Sequence, residues 1–413
     1  PPPPPPPFQA EDGIRDPDHS LVGSEMCIRD SHMAFHCSPF QPWDNKAVHK
    51  PGMIFKNWGS QYSRHNTWWE QGTDWHKYQA RCQFMLQQGM FQAEALFMTP
   101  EVIPGLELST RPVLPLGYDF DLASAKLVRD QLFVEDGMIC TPSGMKYHML
   151  GLPKIDEISV PLLKKIQKLV ADGAHVMVWT KPKTSLGLEN YPASEKEVSD
   201  IAAEVWQNLD GKEVTEVSYG KGKLYWTREP IEVLKKMGVE PDVIVEAEGE
   251  NEGQLPINYI HRYTPETDFY FVSSSSEKPS SGLLSFRIAD KQPEFWYPDT
   301  GRIEKCAVNE VKDGRTIIPM IFDPAGAYLV VFREKAKTAP VTRVSLDGTV
   351  ALSTAKRINP LADAKQFFKA GGTLKLETAD GKSIEEKLER EKVRSLDSDW
   401  MVSFDGVGAP RAR

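Results

Sequence analysis

The residues with the clearest chemical potential stand together in one short run, Arg64-His65-Asn66-Thr67-Trp68-Trp69-Glu70-Gln71. It combines a basic group, an imidazole, two indoles and a carboxylate. Hydrolysis of a glycosidic bond needs one carboxyl group to protonate the leaving oxygen and another to activate water or attack the sugar. Indole faces can hold the C–H face of a sugar ring. The run therefore predicts a sugar site in which Glu70 is one of the carboxylates and the substrate contacts His65, Trp68 and Trp69.

Each of these residues also has a structural interpretation. Thr67 and Glu70 have the spacing of a capping box, in which Glu70 would only bond back to the N-cap amide of its own helix. Trp68 and Trp69 point to different faces of a helix, so at least one of them is expected in the core. His65 could equally be a satisfied polar group. The sequence leaves both interpretations open.

Two patterns predict the elements that would position this run. A helix is predicted from about Trp68 to Gly89, because apolar residues recur there at spacings of three and four. After it, strands and helices alternate, which predicts a parallel sheet with covering helices. The predicted strands are 93–98, 147–152, 175–179 and 223–226, and the predicted helices are 122–131, 160–171, 195–209 and 230–237.

After Gly238 the pattern changes to short alternating segments, which predict an all-β region, in the form of a sandwich. Beyond Ala336 a further set of short strands is interrupted by Asp347-Gly348 and Asp380-Gly381, both of which are hairpin signals. The predicted sandwich strands are 257–263, 268–273, 283–288, 315–322 and 328–332.

Composition excludes some classes of partner. A chain of 413 residues with 40% hydrophobic and 26% charged residues is typical of soluble globular protein with about two to four domains. The net charge of -9 disfavours nucleic acid and anionic membranes as main partners. No run reaches the roughly 20 apolar residues of a membrane span. The five cysteines lack zinc-like spacing, and most are expected to be buried free thiols: Cys27, Cys37, Cys82, Cys140 and Cys306.

The first 33 residues are set aside from fold reasoning. Pro1 to Pro7 is a low-complexity run, and the segment that follows, through Ser31, has no periodicity. The segment resembles translated adapter read-through in assembled sequence collections. We therefore expect the natural chain to enter near Ala34, with residues 1–33 extraneous.

The α/β region lacks the marks of three other enzyme classes. A flavodoxin needs a phosphate-binding loop after its first strand, where this chain has the acidic, proline-bearing run 99–104. A glutamine amidotransferase needs a cysteine on a tight strand-to-helix turn, and the surroundings of Cys140 do not predict one. Gly220-x-Gly222 lacks the third glycine and the following helix of a dinucleotide fingerprint. We therefore expect this region to be structural.

Several motifs are similar to one known family. Pro51-Gly52-Met53, the run 64–71 and Tyr78-x-x-Arg81-Cys82-Gln83-x-x-Leu86-Gln87-Gln88-Gly89 look like the end of the catalytic barrel in glycoside hydrolase family 106, the α-L-rhamnosidases. Leu116-Gly117-Tyr118-Asp119-Phe120-Asp121 and the segment 220–226 are similar to its flavodoxin-like domain. Phe295-Trp296-Tyr297-Pro298-Asp299-Thr300-Gly301 and the segment 399–404 resemble its β-sandwich and the start of a further sandwich.

The resemblance implies a multidomain fold, α/β followed by all-β. Residues 34–91 would be the C-terminal part of a (β/α)8 barrel, 92–237 a flavodoxin-like domain and 238–335 a β-sandwich. Residues 336–413 would be the start of a further, truncated β-domain.

The resemblance also implies an inverting enzyme that removes terminal α-L-rhamnosyl residues from plant or microbial oligosaccharides or polysaccharides. Such an enzyme has two catalytic glutamates and a calcium ion near the sugar. Only Glu70 matches one of these positions, as the general base, while the acid and the calcium ligands would lie upstream of Ala34. The chain alone is therefore expected to be inactive, and the family implies a periplasmic or extracellular location.

A non-enzymatic alternative is a carbohydrate-binding or accessory module. Exposed indoles of the sandwich region, such as Trp296 or Trp400, could bind sugar, although single tryptophans are more often part of a core. Tight, calcium-independent glycan binding that is lost in Trp296→Ala would favour the module, whereas an absence of binding would favour an incomplete hydrolase.

Overall fold

A computed structural model describes residues 28–29, 32–33, 70–101, 113–246, 255–355 and 368–390. The helices in these ranges are a 3-10 turn at Glu70–Gly72, α1 (Thr73–Leu86), α2 (Ala125–Gln131), α3 (Val160–Asp172), α4 (Ala193–Trp206) and α5 (Pro230–Lys236). The strands are β1 (Ile28–Arg29), β2 (His32–Met33), β3 (Met90–Phe91), β4 (Ala95–Met98), β5 (Phe120–Ala123), β6 (Phe133–Glu135), β7 (Met138–Cys140), β8 (Lys146–Tyr147), β9 (Met149–Gly151), β10 (Glu157–Ile158), β11 (His175–Val178), β12 (Thr184–Ser185), β13 (Glu216–Tyr219), β14 (Gly222–Trp226), β15 (Val243–Glu246), β16 (Ile257–Tyr263), β17 (Asp268–Ser274), β18 (Ser280–Phe286), β19 (Lys291–Trp296), β20 (Ile303–Lys305), β21 (Glu310–Lys312), β22 (Arg315–Phe322), β23 (Ala327–Lys335), β24 (Val341–Leu346), β25 (Thr349–Ser353), β26 (Gly372–Thr378) and β27 (Ser383–Leu388).

The predicted parallel sheet is confirmed. Its strand order is β13-β14-β11-β9-β4-β5, and every neighbouring pair is parallel except β13 with β14. The five parallel strands, numbered along the chain, therefore have the order 2-1-3-4-5, which is the doubly wound order of flavodoxin. The sheet is buried on both faces, because alternate side chains enter two different clusters. Leu96, Leu150, Val176 and Leu224 pack with α2, α3 and α4, whereas Ala95, Met149, Met177 and Tyr225 pack with α5.

One predicted helix boundary in this sheet is wrong. Residues 122–131 were expected to be helical throughout, but Leu122 belongs to strand β5, which pairs with β4. The helix begins only at Ala125, because the Ser124 hydroxyl accepts a hydrogen bond from the Leu127 amide at 3.2 Å and caps it. Pairing across the sheet has outweighed the local helical pattern.

Two antiparallel sheets follow, as predicted. Their orders are β15-β18-β22-β21 and β20-β19-β23-β17-β16-β3. Between them lies an aromatic-rich core that includes Tyr270, Phe286, Phe322 and Phe332. The last strand of the second sheet was not predicted: β3 precedes the whole α/β region, yet it pairs with the end of β16. The α/β region is therefore inserted between two strands of the sandwich.

The last described sheet has the order β25-β24-β26-β27 and is antiparallel. Both predicted hairpins are confirmed. Asp347 and Gly348 join β24 to β25 with φ angles of 47° and 83°, as a type I′ turn requires. Asp380-Gly381 lies in the turn between β26 and β27.

The Gly220-x-Gly222 segment is a packing device. A Cβ atom on Gly222 would lie 2.3 Å from the carbonyl oxygen of Ala174 and 2.4 Å from that of Val170. The β13–β14 hairpin therefore packs directly on the backbone at the C-terminal end of α3. Only glycine allows this approach, which explains the motif without a nucleotide.

We expect Gly222→Ala to lower the free energy of unfolding by about 1–3 kcal/mol, because the backbone carbonyls it meets cannot move aside. Gly137→Asn is the matched control, since Gly137 has a φ of 76° with no atom within 4 Å of its would-be Cβ and asparagine tolerates that conformation. Urea denaturation measures both. Equal stability of the two variants would contradict the packing role.

Candidate active site

Glu70 is the predicted site residue whose position the structure describes. It opens the 3-10 turn Glu70–Gly72, and it is exposed. The other predicted contacts, His65, Trp68 and Trp69, lie outside the described residues.

The start of helix α1 leaves both interpretations of Glu70 as predictions. The α-helix begins at Thr73, and the 3-10 turn Glu70–Gly72 leads directly into it. Gly72 has helical backbone angles, with φ -67° and ψ -5°, so the helical region extends back to Glu70, close to the predicted start near Trp68. Thr67, which would be the N-cap of the capping box, lies outside the described residues.

Helix α1 is buried at one end only. Cys82, Met85 and Leu86 in its second half are buried in the core shared by the α/β sheet and the sandwich. In its first turn Thr73 and Asp74 are exposed. Glu70 is exposed as well, whereas Gly72 of the same turn is buried.

Trp296 does not offer a free platform for sugar. The residue is half-buried against the core, and its indole N–H donates to Glu294 Oε2 at 2.9 Å. The Arg333 guanidinium lies over its ring, 5.3 Å from the centroid. A sugar could stack on that face only by displacing the cation. Trp296 thus fits the core interpretation, and Trp400 lies outside the described residues.

The carboxyl edge of the parallel sheet is where doubly wound proteins bind ligands. Here the Glu101 carboxylate accepts hydrogen bonds from the backbone N–H and the hydroxyl of Ser159, at 2.8 Å and 2.6 Å. Ser159 is the N-cap of α3, so the chain's own carboxylate fills the place that an anion would take. This geometry agrees with the sequence argument against a phosphate-binding loop.

Three cysteines lie in the described residues, and all are buried free thiols, as predicted: Cys82, Cys140 and Cys306. Cys140 ends strand β7 of a small antiparallel sheet and does not stand on a strand-to-helix elbow. Burial raises the pKa of its thiol, which disfavours the nucleophilic thiolate. Cys27 and Cys37 lie outside the described ranges.

Within the described ranges, no group of three or more His, Cys, Asp or Glu side chains could hold a metal ion. Nor is any helix in these ranges long and apolar enough to cross a membrane.

The profile of glycoside hydrolase family 106, described as alpha-L-rhamnosidase, matches residues 28–310. The chain belongs to this family. The match begins just inside the segment 1–33 that the sequence analysis set aside, and it extends through the α/β sheet into the sandwich.

Two individual proteins show the similarity. The chain is 36% identical over 304 residues to a protein of Formosa agariphila named "Putative beta-glucuronidase", which covers 73% of this chain and 24% of that protein. The fold of this chain is similar to that of the rhamnosidase from Novosphingobium sp. PP1Y, with a TM-score of 0.62 and 24% sequence identity. That match covers 72% of this chain and 29% of the Novosphingobium chain. The chain thus spans about a quarter of the length of these relatives.

A dense cluster of titratable groups in this family 106 chain is buried and was not predicted. His261 Nδ1 lies 2.8 Å from Asp242 Oδ2, and its Nε2 lies 3.5 Å from Asp268 Oδ1. Arg287 donates to Glu94 Oε1 at 2.8 Å and has its Nε 3.5 Å from Asp242 Oδ1. The cluster joins the residue before β4 to the start and the middle of the sandwich. Glu94, Asp242 and His261 are buried, whereas Arg287 and Asp268 are partly exposed. The cluster ties the two parts of the chain together.

The two carboxylates favour the charged form of His261. Burial, the largest influence, lowers the pKa of His261, but Asp242 and then Asp268 outweigh it, so the pKa lies above the usual 6.5. For Asp242, burial raises the pKa, but the His261 charge outweighs that effect and the pKa lies below 3.8. Between pH 3.8 and pH 6.5, the ordinary pKa values of the two groups, the attraction between His261 and Asp242 is therefore present.

Replacing His261 with glutamine tests the direction of the His261 pKa shift. A histidine with a raised folded-state pKa contributes its full stability below the unfolded-state value and loses it as pH rises through the folded-state value. We expect the stability difference between wild type and His261→Gln to be largest near pH 5–6 and to shrink by up to about 1.4 kcal/mol per pH unit above pH 6.5. Urea unfolding between pH 5 and 9 measures it, and a difference that stays constant would contradict the charged imidazole.

Proposed function

We propose that this chain is part of an inverting α-L-rhamnosidase in which Glu70 is the general base. The observation that supports the proposal is an exposed glutamate in the turn that leads into α1, in a family 106 chain. The rest of the enzyme, including the acid carboxyl group, would come from residues outside the described ranges.

The chemistry assigned to Glu70 follows from an inverting displacement. One carboxylic acid protonates the leaving oxygen, while the base removes a proton from a water that attacks the opposite face of the anomeric carbon. The two carboxyl groups then stand about 6.5–9.5 Å apart to leave room for that water. An exposed carboxylate at the mouth of a helix fits the base, because it must reach a water and a sugar.

The remaining parts of the site are proposals of the same kind. His65, Trp68 and Trp69, which adjoin Glu70 in sequence, would contact the sugar. A calcium ion near the sugar would have ligands outside the described residues. The substrates would be terminal α-L-rhamnosyl residues of plant or microbial glycans, met in the periplasm or outside the cell.

The name of the Formosa agariphila relative points to a different sugar, a β-glucuronide. We favour the rhamnoside because the family profile over residues 28–310 carries that description. Assays with paired aryl α-L-rhamnoside and aryl β-glucuronide substrates decide between them. If the glucuronide alone is hydrolysed, the proposed substrate is wrong. The role of Glu70 is then tested separately, by the Glu70→Gln variant described below.

We expect the 413-residue chain alone to leave aryl α-L-rhamnosides intact and a longer enzyme that contains it to hydrolyse them, since one carboxylate cannot supply both roles. Release of the aryl group, followed by absorbance at equal protein concentration, measures this difference. Turnover by the 413-residue chain would show that the proposed division of the site is wrong.

In the longer enzyme, Glu70→Gln should lower kcat by about 100- to 10,000-fold, because an amide cannot accept the proton. Asp74→Asn is the matched control: Asp74 is an exposed carboxylate in the first turn of α1, paired only loosely with Lys77 at 3.4 Å. It should keep nearly full activity. Circular dichroism checks that both variants are folded. Glu70→Gln activity near that of wild type would remove Glu70 from the mechanism.

A further inference from the structure

Two sequence motifs that lie far apart in the chain meet in the structure. Arg81, in the middle of helix α1, donates through Nη1 to the carbonyl oxygens of Pro298 and Asp299, both at 2.8 Å. These carbonyls belong to the turn between strands β19 and β20 of the sandwich. A guanidinium bonded to two successive carbonyls holds the turn and the helix in one relative orientation.

The turn is built to present these carbonyls. The Gly301 amide donates to the Tyr297 carbonyl at 2.7 Å, and the Tyr297 amide donates to the Arg302 carbonyl at 2.9 Å. Gly301 has a φ of 77°, and a Cβ atom there would lie 3.1 Å from the Arg81 guanidinium. The turn is therefore closed on itself and leaves just enough room for the arginine.

A second arginine bonds to the residues that follow the C-terminal end of the same helix. Arg262, on strand β16, is buried and donates from Nε to the Gln88 carbonyl at 2.7 Å and from Nη2 to the Gly89 carbonyl at 2.8 Å. Pairing of β3 with β16 begins directly after this point. Arg262 therefore sets where the helix ends on the sandwich, and Arg81 sets its direction from there.

We propose that Arg81 and the turn 298–301 position Glu70 for catalysis, a proposal that rests on the function proposed above. Glu70 precedes Arg81 by roughly three helical turns, or about 16 Å. With Arg262 as a fixed point, loss of the Arg81 bonds would let the start of α1 swing. A displacement of about 1 Å at a catalytic group can lower the rate about 100-fold. Arg81 is thus a positioning residue that acts through α1.

The kinetic test uses Arg81→Met and Arg81→Lys in the longer enzyme. We expect Arg81→Met to lower kcat about 10- to 100-fold, because the base is misplaced. Arg81→Lys should fall in between, since an ammonium is a point charge without the planar fork. Arg302→Met is the matched control: its guanidinium lies over the Tyr297 ring of the same turn, 4.4 Å from the centroid, and it should keep wild-type kcat.

A second measurement on the 413-residue chain separates positioning from general damage. Hydrogen exchange of the α1 amides, followed by mass spectrometry, should speed up in Arg81→Met, less in Arg81→Lys, and stay unchanged in Arg302→Met. If exchange speeds up while kcat is unchanged, α1 moves without consequence and the proposal is overturned. A fall in kcat without faster exchange overturns it as well. Should Arg81→Met not fold, the same comparisons apply to Arg81→Lys.

Failure of the proposed function gives a different pattern. In that case Glu70→Gln keeps its activity, while the exchange data still show whether Arg81 holds α1. Retained activity of Glu70→Gln would end the claim that Arg81 positions a catalytic group, and unchanged exchange would end the claim that it holds the helix.

Discussion

The attachment of helix α1 to the β-sandwich determines where Glu70 lies, and most other features of the structure support that attachment. Cys82, Met85 and Leu86 in the second half of the helix are buried in the shared core, and Tyr78 in the first half packs against it. Apolar burial is not directional, whereas the carbonyl bonds of Arg81 and Arg262 are. In the positioning that we propose, these bonds set the direction of the helix, and Glu70 lies about 16 Å from Arg81 along it.

The insertion of the α/β region into the sandwich supports the attachment of helix α1 to the sandwich. Strand β3 precedes the parallel sheet and β15 follows it, so both ends of the inserted region pair with strands of the sandwich. The buried cluster of Glu94, Arg287, Asp242 and His261 lies at this junction. Buried charges are costly unless they are paired, so the junction favours one relative placement. The parallel sheet thus acts as a structural support, which agrees with the filled anion position at Glu101.

Sequence patterns predicted those strands, helices and turns whose own residues carry an apolar period or a turn signal. Strands β16 and β22 and helix α3 followed from apolar periodicity, and the hairpin at Asp347-Gly348 followed from turn chemistry. Strand β3 has two residues and no pattern of its own, so only its partner β16 defines it. Leu122 was assigned to a helix because local spacing cannot reveal that β4 lies beside it. In the site, Glu70 was proposed from its neighbours in sequence, and the competing capping box depends on Thr67, which lies outside the described residues. The buried cluster and the Arg81 contact join residues far apart in the chain, and the signal available for the cluster was the pair His261-Arg262 within strand β16.

A crystal structure of the longer enzyme with a bound α-L-rhamnoside analogue would show where Glu70 stands relative to the sugar. We expect the Glu70 carboxylate to accept a hydrogen bond from a water on the face of the anomeric carbon opposite the leaving group, with a second carboxyl group about 6.5–9.5 Å away. A Glu70 side chain turned back onto the backbone of its own helix, or separated from the sugar by other side chains, would contradict it.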